Sequence, residues 1–211
     1  MSNLPLPPLG SAEGEALASL LEQLAIQGYA VVRDLVPLEL VDRLFLELKS
    51  LTQAEFKRAG VGRQQDFQVN RFVRSDHICW LNGETPASSA FLAWIETLRQ
   101  ELNRRLLLGL FDYECHYARY PKGAFYKTHR DAFKGQANRV LSTVLYLNPQ
   151  WTPSDGGELE LFDDSGEQRL ASIAPEYGKL VVFLSEEFPH QVLPARRERY
   201  SLAGWFRLRN L

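Results

Sequence analysis

His129-Arg130-Asp131 is the first constellation in this chain that could do chemistry. Side chains alternate along a strand, so residues two apart project to one side. In an extended segment an imidazole and a carboxylate would then point together and supply two ligands of a 2-His-1-carboxylate site. Such a site holds iron(II) while leaving positions open for oxygen chemistry. A chain with four histidines makes an HxD by chance too often for the motif to stand alone. The third ligand must come from another strand. His190, 59 residues beyond Asp131 at the start of a late apolar run, is the first candidate. His77 and His116 precede the motif in apolar or alternating segments, where a half-buried, hydrogen-bonded histidine is the ordinary expectation. Arg199 follows His190 by nine residues, and its planar fork could hold a carboxylate bidentately. Arg196 and Arg197, in a run with Glu198, read as a solvated turn.

Elements must bring these residues together. Ser11 can cap a helix in which Leu17, Leu20, Leu21 and Leu24 recur at helical spacing, with Gly28 suited to its end. Residues 29–35 read as a strand. A second helix opens at Pro37, carries Val41, Leu44, Phe45 and Leu48 on one face, and is expected to end near Gly60. The polar, aperiodic stretch 60–70 predicts a long exposed loop of the kind that covers sites. A strand over 77–80, a turn at Asn82-Gly83 and a third helix over 88–108 follow. Beyond residue 111 the apolar runs are short and rich in β-branched or aromatic residues, at 112–120, 124–131, 139–147, 158–162, 179–184, 190–193 and 199–208. That spacing predicts a sandwich or barrel. The expectation is one α+β domain over 1–211, with helices in 11–110 buttressing a β-core over about 111–208.

The composition, with 45% hydrophobic and 24% charged residues, is that of a globular domain. A formal net charge of −2 argues against nucleic acid as a partner bound by phosphate neutralisation. No apolar stretch approaches the roughly 20 residues needed to cross a bilayer, so no membrane partner is expected. Two cysteines without a CxxC pair, and an N-terminus without a signal-like apolar region, lead to a cytoplasmic expectation.

The segments ARYPKGAFYKTHRD (118–131), RVLSTVLYLNPQW (139–151), GGELELF (156–162) and PHQVLPARRERYSLAGWF (189–206) resemble the 2-oxoglutarate/iron(II)-dependent prolyl 4-hydroxylases. The likeness is nearest to the oxygen-sensing (hypoxia-inducible-factor type) prolyl hydroxylases and their bacterial relatives. Upstream, RSDHICWLNG (74–83) is similar to the strand that follows this branch's mobile substrate loop, whose position falls at 60–72. The resemblance implies a double-stranded β-helix, a jelly-roll or cupin-like barrel. It implies that His129, Asp131 and His190 are catalytic as iron(II) ligands and that Arg199 holds the distal carboxylate of 2-oxoglutarate. Tyr146 would assist Arg199, and Tyr120 would line the cosubstrate pocket. Arg139, Trp205 and Tyr126 match positions near the substrate groove. The implied activity is hydroxylation of a prolyl residue in a protein or peptide, using O2 and releasing succinate and CO2, with ascorbate as a stimulant. Elongation factor Tu is the first candidate substrate. The alternatives are a small-molecule or free amino acid hydroxylase, and a non-catalytic sensor of 2-oxoglutarate or metal.

Overall fold

The computed structural model describes residues 12–58, 73–132 and 138–209. Its elements are α1 (Ala12–Gln27), β1 (Tyr29–Val32), α2 (Leu38–Ser50), β2 (Lys57–Arg58), β3 (His77–Trp80) and α3 (Pro86–Leu106), followed by strands alone. These are β4 (Asp112–Tyr120), β5 (Tyr126–His129), β6 (Arg139–Tyr146), β7 (Leu159–Phe162), β8 (Arg169–Ile173), β9 (Leu180–Leu184), β10 (His190–Val192) and β11 (Arg199–Arg207). One sheet has the order β1-β9-β6-β11-β4-β3-β2, the other β5-β10-β7-β8.

Alternation along β11 divides the larger sheet into two faces. Leu202 and Phe206 join Tyr117, Leu141 and Leu145 in the core shared with Leu20, Leu44 and Leu98 of the three helices. Arg199, Ser201, Ala203, Trp205 and Arg207 point the other way. Their β4 partners on that face are Tyr120, Ala118, His116, Glu114 and Asp112, and Tyr146, Val144 and Ser142 of β6 oppose Ser201, Ala203 and Trp205. Ala118, Tyr120, Tyr146, Val181 and Phe183 of this inner face pack against Leu159, Leu161, Ile173 and Val192 of the smaller sheet. Gly204 stands mid-strand in β11 because a Cβ there would collide with the Tyr113 ring.

The two facing sheets form the expected jelly roll but do not close into a barrel. Among the described residues no ladder joins them; an isolated bridge between Arg74 and Tyr126 links the β3 end of one sheet to β5 of the other. Short strands, β2 and β8, stand at open edges instead.

Several boundaries differ from expectation for local reasons. α2 ends at Ser50 and not near Gly60: Leu51 turns extended, and Glu55 accepts hydrogen bonds from Thr52 N and Oγ1, turning the chain toward β2. α3 starts at Pro86, because Thr85 is its cap and Ser88 is the third residue of a capping box. β8 was not anticipated; it is largely exposed and carries little alternation. The loop expected over 60–72 lies outside the described residues. No described helix is long and apolar enough to cross a membrane.

Candidate metal centre

Strand pairing alone brings two imidazoles together. His129 and His190 are direct partners in the β5–β10 ladder, and their ring centroids lie 4.2 Å apart. The Nδ1 of His129 is 2.8 Å from the Lys127 carbonyl, and that of His190 is 3.0 Å from the Phe188 carbonyl. A carbonyl only accepts, so each ring carries its proton on Nδ1 and keeps the Nε2 lone pair for the centre.

Asp131 completes the group. Its Oδ1 is 3.6 Å from His129 Nε2 and its Oδ2 is 3.7 Å from His190 Nε2. The three ligand atoms lie within 4.8 Å of one another. Strand alternation does not place this carboxylate, contrary to the expectation of a strand over 124–131. β5 stops at His129, since β10 begins at its partner His190, and Asp131 sits in the bend beyond. Ser142 orients it instead, donating to Oδ2 at 2.7 Å while lying 2.9 Å from Ser185 Oγ. Burial would raise the Asp131 carboxyl, but His190, His129 and Ser142 hold it well below the usual carboxylate range. Two neutral nitrogens with fixed tautomers and one anionic oxygen, each braced from behind, fit iron(II). Neither His77 nor His116 joins the group.

On the same inner face Arg199 is 1% exposed and donates from Nε to the Gly157 carbonyl at 2.9 Å. It faces no carboxylate in an ion pair among the described residues. Its guanidinium lies 5.0 Å from the Tyr120 ring centre and 5.1 Å from that of Tyr146. Among the described residues the Tyr146 hydroxyl is buried without a hydrogen-bond partner, and burial, opposed by the nearby Arg199 guanidinium, pushes its pKa up to about 12. A buried cation beside an unpartnered phenol is costly unless an anion completes the site. Tyr146 and Ser142 share one face of β6, so their Cα atoms stand roughly 13 Å apart along the strand. Arg199, beside Tyr146, and the Ser142 that holds Asp131 thus lie toward opposite ends of the larger sheet's inner face.

The other three expected residues are placed differently from one another. Tyr126 stacks on His129, with centroids 3.4 Å apart and planes at 16°, and the Arg74 guanidinium lies 4.2 Å from the Tyr126 ring centre. Arg74 itself is paired bidentately with buried Asp76 at 2.7 and 2.6 Å. Arg139 lies 3.6 Å over the Trp205 ring and donates twice to Glu114 Oε1, at 3.1 and 2.7 Å. Its charge is therefore neutralised. Trp205 also borders His116 and half-exposed Trp80, forming an aromatic shelf.

Sequence reasoning missed Ser142, Ser185, Glu114 and the Arg74–Asp76 pair. Ser142 carries a faint signal, a hydroxyl in the apolar strand RVLSTVLY. Ser185 and Glu114 depend on partners 43 and 25 positions away, whereas Arg74 and Asp76 stand two positions apart and are set off only by the burial of Asp76.

Burial pushes the His116 and His190 imidazoles down to about 4, with the neighbouring His129 adding to the effect on His190. Ordinary histidine titrates near 6.5, so the unfolded chain takes up these protons first. Stability is then full above pH 6.5 and lost progressively as pH falls toward 4. Relative to pH 8, each buried histidine should cost about 2 kcal/mol at pH 5. Urea unfolding of metal-free protein at pH 8 and 5 measures this. His116→Gln, which cannot titrate, should reduce the drop by about that amount; an unchanged drop would contradict a buried neutral His116.

Residues 115–207 match the family model described as 2OG-Fe(II) oxygenase superfamily. The chain is 27% identical over 188 residues to Egl nine homolog 1 of Mus musculus, covering 85% of this chain and 46% of that protein. It spans about half the length of the curated Egl nine relatives it matches. Among solved structures, a Pseudomonas putida prolyl-4-hydroxylase is 42% identical with a TM-score of 0.81, over 92% of this chain and 100% of that one. A Trichoplax adhaerens prolyl hydroxylase, in complex with a hypoxia inducible factor oxygen degradation domain peptide fragment, is 25% identical with a TM-score of 0.77. That match covers 93% of this chain and 90% of the other.

Proposed function

Because this chain belongs to the 2OG-Fe(II) oxygenase superfamily, we propose that it hydroxylates a prolyl residue of a protein or peptide substrate. The family implies iron(II), 2-oxoglutarate and O2 as the reacting partners. The observation that carries the reading is Arg199, a buried cation without a carboxylate partner among the described residues, on the inner face opposite the sheet that carries His129 and His190.

Each residue then has a task. His129, Asp131 and His190 hold the metal with a single negative ligand charge. Arg199 and the Tyr146 hydroxyl bind the distal carboxylate of 2-oxoglutarate, and the Tyr120 ring borders the Arg199 fork. When bound, iron(II) supplies the oxygen activation that couples conversion of 2-oxoglutarate to succinate and CO2 with oxygen insertion into a C–H bond. The apolar walls from Leu161, Phe183 and Val192 keep water from the buried site. Trp205, with Arg139 laid across it, and Tyr126 against His129 form the surface on which the substrate rests. Paired with Glu114, Arg139 acts there as a flat platform and not as a free cation.

Relatives crystallised or described as prolyl hydroxylases support a prolyl substrate, and one of them holds a peptide. Elongation factor Tu, suggested by resemblance, is the first protein to try. The test is succinate release from 2-oxoglutarate with iron(II) and O2, comparing a proline-containing segment of that factor with free proline. Stimulation by the peptide, with a mass gain of one oxygen on proline, is expected. Stimulation by free proline alone would favour an amino acid hydroxylase, and no turnover of 2-oxoglutarate at all would favour a sensor.

A further inference from the structure

The β5–β10 ladder fixes both histidines, but it ends before Asp131. Something else must turn the chain so that the carboxylate faces Nε2 of both rings. The residue between the ligands, Arg130, has the contacts to do it. Its Nη1 donates to the carbonyls of Glu186 and Glu187, each at 2.7 Å. Its Nη2 donates to the carbonyl and the carboxylate of Asp164, at 2.5 and 2.9 Å. Asp164 lies in the hairpin between β7 and β8, and Glu186 and Glu187 lie in the turn between β9 and β10.

That second turn touches the metal group at every step. Ser185 contacts Ser142, which holds Asp131; Glu186 and Glu187 hold Arg130; the Phe188 carbonyl fixes the His190 tautomer. Residues 129–131 and 185–190, 54 or more positions apart, are therefore tied at both the carboxylate and the histidine end. A guanidinium can serve both turns at once because its planar fork offers donors in two directions, which a lysine cannot reproduce.

We propose that Arg130 is a positioning residue that sets the metal affinity of the site by locking Asp131 and the His190 turn into one arrangement. The role rests on the metal-centre reading above, and deepens it. Arg130 touches no ligand atom. It removes the freedom of a bend that no ladder holds, so that the three ligands need not be gathered when the metal arrives.

The test titrates metal-free protein with cobalt(II) and follows both calorimetric affinity and ligand-field absorption, without 2-oxoglutarate or turnover. Arg130→Met should weaken cobalt(II) binding by about 10–100-fold and alter the absorption spectrum, since Asp131 no longer meets the metal in one geometry. Arg130→Lys should recover part of the affinity. Asp164→Ala removes one of the four hydrogen bonds and should stay close to wild type. Wild-type affinity and spectrum in Arg130→Met would overturn the proposal while leaving the metal centre standing. If Arg130→Met fails to fold by circular dichroism, Arg130→Lys decides: the wild-type spectrum and affinity there would equally overturn it. A wild-type protein that takes up no cobalt(II) would instead remove the metal centre itself, and this role with it.

Discussion

Asp131→Ala should abolish turnover and lower iron(II) affinity by about two to four orders of magnitude, the consequence of losing about 3–5 kcal/mol at a buried charged site. Asp131 is the single anion of the group, and two neutral imidazoles cannot compensate for its charge. The fold should survive, because Ser142 and Ser185 still hydrogen-bond to each other when the carboxylate is gone. Asp131→Asn is the sharper control. It keeps an oxygen for Ser142 to donate to but removes the charge, so it should bind iron nearly as poorly as the alanine variant. Anaerobic calorimetry with iron(II), beside succinate release, measures both. A fully active Asp131→Ala protein would remove Asp131 from the ligand set.

Arg199→Met should raise the 2-oxoglutarate requirement at least tenfold while iron stays bound. A charge-assisted hydrogen bond contributes about 1.5–3 kcal/mol, which corresponds to about 10–150-fold in affinity. The methionine keeps the volume but has neither charge nor fork. Its effect on the metal-free protein should run the other way. Arg199 is buried without a carboxylate partner among the described residues, so replacing it by an apolar side chain should leave thermal stability unchanged or raised, less the loss of the bond to the Gly157 carbonyl. A variant weakened for 2-oxoglutarate but not for heat would identify Arg199 as a binding group and not a packing group. Unchanged 2-oxoglutarate affinity would remove it from that role.

Burial also sets how readily His190 protonates. His190 is held near 4, so its protonation should not displace metal above pH 5.

Much of the molecule was legible in the order of its residues. Apolar spacing located α1, the start of α2 and most of α3, because each must bury a stripe against the larger sheet. The short runs after residue 111 located seven of the later strands, since a jelly roll buries one face of each. β8, an exposed edge, carried no such pattern. The identities of His129, Asp131, His190 and Arg199 likewise determined the chemistry available, as ligand type and charge belong to the residues themselves.

What only the tertiary structure decided is how those residues meet. The HxD pair was expected to converge through strand alternation; in the fold, pairing with β10 stops at His129, and Asp131 is turned inward by Ser142, Ser185 and Arg130. Arg139 shows no partner in its own segment, but in the fold Glu114, 25 positions away, pairs with it and offsets its charge. Local spacing reports only the period of one segment. Hydrogen bonds between different strands and turns have no period, and in this protein Ser142, 11 positions from Asp131 and itself 2.9 Å from Ser185, places the carboxylate on which the site depends.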